Sequence, residues 1–289
     1  MIAPLGSRER VEPSGSAPPG ATDAGPEVLA ADGRRAWLVR VLPWITTAAI
    51  LAVEEILART GVLPEEVPPF TEIVQAGWEL VPTAAFASSL GATLQQFAVG
   101  VVVGVAVGVA AGVALGAIPL LYLLTHYVLD FLRFIPAVVY LPVLILVMGA
   151  TPEVAYILAA VGCIWPMLFQ TYYGVAGIPP ILKDTGRVFG LKPHQRLLHI
   201  VLPAVSPFVA TGLRIAAAHA LVVVVAVEII TAVEGLGRDI AVFATNGVYA
   251  EMYALVGVVG VIGVLVNVVL ERLERRQLHW HSSYREKQA

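Results

Sequence analysis

The sequence is poor in charge and in cysteine. Only 13% of its 289 residues are charged, while 58% are apolar before any glycine is counted. Soluble domains carry about 25% charged residues, so a soluble fold of this size could not cover its surface. Cys163 is the single cysteine, which excludes a framework of intrachain disulfides. The formal net charge of −3 gives no indication of a nucleic-acid partner. We therefore predict an all-α protein that crosses a membrane several times.

The sequence also lacks the common catalytic motifs. A P-loop needs glycine directly before its phosphate-binding lysine, but Lys183, Lys192 and Lys287 follow Leu, Leu and Glu. No histidine lies in an H-E-x-x-H pattern and no serine in G-x-S-x-G. We predict no catalytic residue, no metal site and no cofactor on this chain. No residue or motif in the sequence favours an intramembrane enzyme.

Six segments are long and apolar enough to cross a bilayer, which takes about 20 residues. Residues 1–35 combine Pro, Gly, Ser and scattered charge, and cannot bury enough apolar surface to fold. We predict a disordered tail there, a six-span domain over 36–271 and a C-terminal tail over 272–289. The predicted spans are 36–57, 90–117, 122–148, 152–173, 207–231 and 252–271.

The third span is the least regular of the six. Its first part carries His126, Asp130 and Arg133 on one helical face, which suggests that residues 120–133 lie partly in the membrane interface. The hydrocarbon crossing would then be 134–149, bent at two prolines, Pro136 and Pro142.

Lysine and arginine counts predict the orientation of the six spans. With both termini inside, the inner segments 1–35, 174–206 and 272–289 hold 4, 4 and 5 of these residues, against one each in the outer segments 58–89 and 232–251. Inner loops of membrane proteins are enriched in positive charge. We therefore expect both termini to be cytoplasmic.

The second span repeats glycine at every fourth residue. Such a row lies on one helix face and lets another backbone approach closely. We interpret the row as a packing surface, although a sliding surface for conformational change would use the same pattern. The glycines are Gly100, Gly104, Gly108, Gly112 and Gly116.

The inner segment 174–206 is the longest predicted cytoplasmic connection between spans. Pro179 and Pro180 can start a first helix that Gly190 ends, and Pro193 can start a second that Pro203 closes. The apolar Phe189 and Leu191 would form an exposed knob at the junction. Periodicity alone fits a hairpin resting on the membrane as well as one docking on a partner protein.

Part of this loop resembles the EAA-loop signature of permease subunits in ATP-binding-cassette (ABC) importers. The resemblance rests on Gly190, on Ile200 ten residues later, and on Leu202–Pro203. The family's Glu-Ala-Ala is replaced by residues 184–186, which are Asp, Thr and Gly.

Further stretches resemble the nitrate, sulfonate and taurine permease group. They are residues 68–74 (PPFTEIV), 132–136 (LRFIP) with Leu141, Pro142 and Gly149, 211–214 (TGLR), Glu228 and 235–237 (GLG). Gln96 stands where that group usually has arginine.

The resemblance implies a type I importer permease, with a coupling-helix loop between spans 4 and 5, in a prokaryotic cell membrane. It further implies an ATPase subunit that binds ATP and Mg, an extracytoplasmic substrate-binding protein and a second permease chain, forming a homodimer. The cargo would be a small sulfonate-, taurine- or nitrate-type anion. A thiamine precursor or another small molecule is an alternative within the family, and a secondary transporter or channel is an alternative outside it.

The resemblance also assigns roles to the loop residues. Phe189, Leu191 and their flanks would transmit force from the ATPase, while Asp184 and Arg187 would orient the contact. The remaining loop candidates are Gly190, Ile200, Leu202 and Pro203.

Several polar residues and one proline in or near the spans are candidates for the translocation pathway or its gate. Arginines near the inner ends of spans commonly extend to the interface, and we favour that interpretation over direct binding of an anion. The candidates are Arg133, Pro136, Arg214, His219 and Glu228.

The orientation can be tested by labelling single cysteines in a Cys163→Ala background. We expect Glu66→Cys to react with an impermeant maleimide on intact cells, because it lies in an outer loop. Gln195→Cys and Ser282→Cys should react only after the membrane is opened. The reverse pattern would contradict the predicted orientation.

Overall fold

The computed structural model describes residues 26–277, which contain helices and turns but no strand. The predicted all-α class is confirmed. The helices are α1 Pro26–Arg59, α2 Phe70–Leu80, α3 Ala84–Ala117, α4 Pro119–Arg133, α5 Leu141–Met148, α6 Pro152–Ala176, α7 Pro180–Val188, α8 Pro193–Arg196, α9 Leu202–Thr231, α10 Leu236–Thr245 and α11 Tyr249–Gln277. A 3₁₀ turn, Ala137–Tyr140, precedes α5, and a π-helical turn, Leu197–Val201, precedes α9.

The chain divides into two units, residues 1–54 and residues 55–289. In the first unit, the described residues form the greater part of α1. This helix begins at Pro26, so residues 26–35 of the predicted tail are helical. A proline fits the first turn of a helix, and the Ala, Leu and Arg residues that follow favour helix without any long apolar run. The rest of the predicted tail lies outside the described residues.

All six predicted spans correspond to helices. Five helices are long and apolar enough to cross a membrane, and a bent pair gives a sixth crossing if it is one span. The second span begins earlier than predicted, at Ala84, where Thr83 caps the helix by accepting a hydrogen bond from the Phe86 backbone N–H. Two further helices, α2 and α10, lie in loops for which we predicted no structure. They pack around Leu236 and Leu255.

The third span is broken between α4 and the turn that precedes α5. The two helical parts meet at 84°. The break lies at residues 134–136, because a proline has no N–H to donate and drives the residue before it out of helical geometry. The predicted bend at Pro136 is confirmed. Pro142 instead lies in the first turn of α5, where a missing N–H leaves no bond unmade.

Helix α6 lies at the centre of the bundle between α3 and α9. The glycine row of α3 faces it so closely that a Cβ on any of the five glycines would lie under 3.0 Å from an α6 atom. On the other side, Cys163 and Met167 of α6 pack with Ala216, Ala220 and Val224 of α9. The interpretation of the row as a packing surface is confirmed.

The second loop helix differs from the prediction. Pro203 does not close it, because the chain continues as one helical rod over Pro193–Thr231. The π-helical turn makes this possible by shifting the hydrogen-bond register, so that the Leu202 N–H donates to the Leu197 carbonyl five residues back. Pro203 then falls in the first turn of α9, where its ring is tolerated.

Two alanine substitutions on α3 test the close packing. Gly104→Ala would place a methyl group under 3.0 Å from Cys163 Cβ and the Ala160 carbonyl, and overpacking of this kind costs about 1–3 kcal/mol. Gly91→Ala, where nothing lies within 4 Å, should instead gain up to about 1 kcal/mol from helix propensity. The measurement is SDS-induced unfolding in mixed micelles, and equal stability of the two variants would contradict this account.

Candidate functional site

The loop after α6 folds into a hairpin whose turn is set by Gly190. Its φ of +66° is the left-handed conformation that we expected of a glycine just past a helix end. The Gly190 N–H donates to the Arg187 carbonyl and the Leu191 N–H to the Gly186 carbonyl, both at 3.0 Å. This pair of bonds is a Schellman motif. The motif ends α7 abruptly and turns the chain toward α8.

The tip of this hairpin carries apolar side chains into solvent. Val188 is 84% exposed and Phe189 is 77% exposed. Beside them, Arg187 donates to Asp184 at 2.9 Å, and both side chains are exposed. Large apolar groups in such a position are typical of a surface that contacts a partner. The predicted exposure of Phe189 is confirmed, whereas that of Leu191 is wrong, because Leu191 is half-buried.

The remaining loop candidates follow the tip in the chain, in the second arm of the hairpin and at the start of α9. Leu191 and Ile200 are half-buried. Gly186, which replaces an alanine of the family signature, is buried, and a Cβ there would lie 2.6 Å from Ile200 Cδ1. The glycine therefore lets α7 lie closer to the second arm of the hairpin. Leu202 and Pro203 form the start of α9.

Three of the five pathway candidates line one cavity. Arg133 and Pro136 enter it from the broken span, and His219 enters from α9. The cavity measures about 600 Å³, and Trp165 and Gln170 of α6 complete its polar lining. We did not single out these two residues from the sequence, because nothing in the letters distinguishes them from other residues of a buried span.

The Arg133 guanidinium lies over two aromatic rings. Its Cζ is 4.7 Å from the ring centre of Phe169 and 5.1 Å from that of Phe134, which are cation–π distances. The nearest carboxylate oxygen, on Asp130, is 3.4 Å away. Aromatic rings accept no strong hydrogen bond, so N–H donors of this guanidinium can still be offered to an anion.

The other two pathway candidates lie elsewhere. Arg214 pairs with Glu274 of α11, so its charge is balanced within the described residues and it does not reach the cavity. This arrangement agrees better with a structural role than with anion binding.

Glu228 lies in a separate buried network near the C-terminal end of α9. Its Oε2 accepts from Thr93 Oγ1 at 3.0 Å and from the Gly237 N–H at 2.8 Å. A Cβ on Gly235 would lie under 3.0 Å from the carboxyl group, which explains why small residues flank Leu236. The carboxyl group therefore ties α9 to α3 and to the first turn of α10.

Thr93 and Gln96 of α3 complete this network. Thr93 Oγ1 accepts from the Leu236 N–H at 2.8 Å, and Gln96 donates to the Glu234 carbonyl at 2.8 Å. Gln96 thus holds the loop before α10, from the position at which the resemblance led us to expect arginine. The Gly-Leu-Gly sequence was a signal for a tight loop, but the long-range partners in α3 could not be read from it.

Comparison with known proteins gives a consistent result. The family model described as "Binding-protein-dependent transport system inner membrane component" matches residues 100–279. The chain is 29% identical over 260 residues to the protein named as the aliphatic sulfonates transport permease SsuC of Escherichia coli K12, covering 88% of this chain and 97% of that protein. It is 27% identical over 175 residues to the nitrate import permease NrtB of Leptolyngbya laminosa, covering 57% and 63% of the two chains.

A solved structure has the same fold. A chain of the inward-facing MetNI methionine ABC transporter superposes with a TM-score of 0.60 at 18% identity, and the match covers 67% of this chain and 96% of that one.

The buried network predicts that Thr93→Val destabilises the protein. Valine has the shape of threonine but can neither donate to Glu228 nor accept from Leu236, and each polar group left without a partner costs about 1–3 kcal/mol. Thr245→Val is the control, because Thr245 is exposed and bonds only to its own helix. We expect SDS-induced unfolding and proteolysis of the 232–236 loop to change in Thr93→Val alone. Identical behaviour of both variants would contradict the role of the network.

Proposed function

Because the chain belongs to the family of binding-protein-dependent transport system inner membrane components and is therefore a permease subunit of an ABC importer, we propose that it carries a small anion and docks its hairpin on a separate ATPase. The family is one of transport subunits, so we further propose that this chain is itself non-catalytic. ATP and Mg would bind to the ATPase. The missing P-loop agrees with this division of roles.

The exposed hairpin tip is the observation that carries the docking proposal. Val188 and Phe189 expose apolar surface at a turn fixed by a Schellman motif, and burying such surface favours association. Asp184 and Arg187 flank the tip and would orient the ATPase. The hairpin continues directly into α9, so a movement of the docked tip would move the span behind it.

Relatives and charge together support an anion as the cargo. The two relatives above are named for aliphatic sulfonates and for nitrate. In this chain, Arg133 brings a cation to the cavity at the broken span. Two copies of the permease would enclose one pathway, and a substrate-binding protein would deliver the anion from outside.

Two loop variants test the coupling role of the hairpin. Gly190→Val would place a β-branched residue at a positive φ, which costs roughly 1–2 kcal/mol, although no atom lies within 4 Å to clash with it. Phe189→Asp would bury an unpaired charge in the docked state. Both variants should reach the membrane normally but lose copurification of the ATPase and lose uptake.

Gly247→Val provides a matched control for the backbone strain. Gly247 has a φ of +72° and nothing within 4 Å, but it lies between α10 and α11, on the side predicted to be outside. This variant should bind the ATPase and transport as the wild type does. Normal transport by Gly190→Val and Phe189→Asp would overturn the docking proposal.

A further inference from the structure

The walls of the cavity at the broken span are almost entirely apolar. Polar groups enter it only as Arg133, Trp165, Gln170 and His219. The remaining walls come from aliphatic and aromatic residues on three helical elements, among them Phe134, Ile135, Val138, Phe169, Ile215 and Val222. A bare inorganic ion would meet these few polar groups, but most of the surrounding surface would offer it no hydrogen bond.

The single cation that lines the cavity is placed to hold an anionic headgroup. The rings of Phe134 and Phe169 lie within cation–π distance of the Arg133 guanidinium and hold it at the cavity. At 3.4 Å, Asp130 balances part of the charge but is no closer than a loose ion pair. A sulfonate or carboxylate group can accept two parallel bonds from such an edge.

The volume of the cavity exceeds what a headgroup alone would fill. At about 600 Å³ it falls in the range of small-molecule sites, about 300–1,000 Å³. Ile215, His219 and Val222 form one stripe along α9, which extends the apolar wall away from Arg133. An organic anion with an aliphatic tail would satisfy both the cation and the walls.

We propose that the permease itself carries a binding site for an organic monoanion, with the headgroup on Arg133 and an aliphatic tail against Phe169, Ile215 and Val222. This inference rests on the proposed function, since it names the class of anion that the pathway accepts. The inference adds a selection step to delivery by a binding protein. The permease itself would select its cargo by the length of the aliphatic tail as well as by charge.

The test measures binding to the purified permease–ATPase complex without any binding protein. Calorimetric titration would use a series of n-alkanesulfonates from ethane- to hexanesulfonate, with sodium nitrate as the inorganic probe. Each added methylene that enters the apolar wall should tighten Kd about fourfold. Nitrate should bind more weakly than every member of the series.

Variants assign the binding to this cavity. Arg133→Gln should weaken all the sulfonates at least tenfold, whereas Ile215→Ser should flatten the dependence on chain length. Arg238→Gln is the matched control, because Arg238 is an exposed arginine outside the cavity, and it should bind as the wild type does. A flat chain-length series, nitrate binding equal to that of hexanesulfonate, or no effect of Arg133→Gln would overturn the inference.

The same preparation separates failure of this inference from failure of the proposed function. A wild-type complex that copurifies with its ATPase and hydrolyses MgATP, but shows no chain-length dependence, would overturn only the binding site. A permease that retains no ATPase would overturn the importer assembly itself.

Discussion

The contact between α3 and α6 is the constraint on which the rest of the bundle depends. In a bilayer the hydrophobic effect does not drive helices together, so association rests on close van der Waals packing and on hydrogen bonds. Five glycines on one face of α3 bring the two backbones together without intervening side chains. This contact holds α6 in the centre, where residues such as Leu158 and Met167 are fully buried. The broken span and α9 then pack against the other faces of α6.

Helix α9 connects the hairpin to the cavity. One helical rod, Pro193–Thr231, runs from the second arm of the hairpin past Ile215 and His219. It is braced at two points, by the pair of Arg214 with Glu274 and by the bonds of Glu228 with Thr93 and Gly237. A rod held in this way can transmit a displacement of the hairpin to the cavity wall. The bundle would then have two positions, which would differ in the side of the membrane to which the cavity opens.

Local physical rules explain which parts of the fold could be predicted from the sequence. The lengths of the apolar segments predicted the six spans, and the spacing of the glycines predicted the packing face of α3. Pro136 predicted the break in the third span, and Gly190 predicted the turn of the hairpin. The prediction failed at Pro203, because a π-helical turn upstream absorbs the missing N–H. It failed again at residue 26, since a helix needs no long apolar run to begin.

The sequence by itself determined the class of protein and the absence of a P-loop, and it predicted the apolar segments that the structure forms as helices. Composition, apolar length and motif spacing are properties of the sequence alone. Family membership then decided between an importer subunit and a secondary transporter or channel. Only the tertiary structure decided which polar residues meet. Arg133, Gln170 and His219 come from three different helical elements, and Thr93 and Glu228 are 135 positions apart. Such contacts depend on how the helices cross, and no local pattern in the chain encodes the crossing.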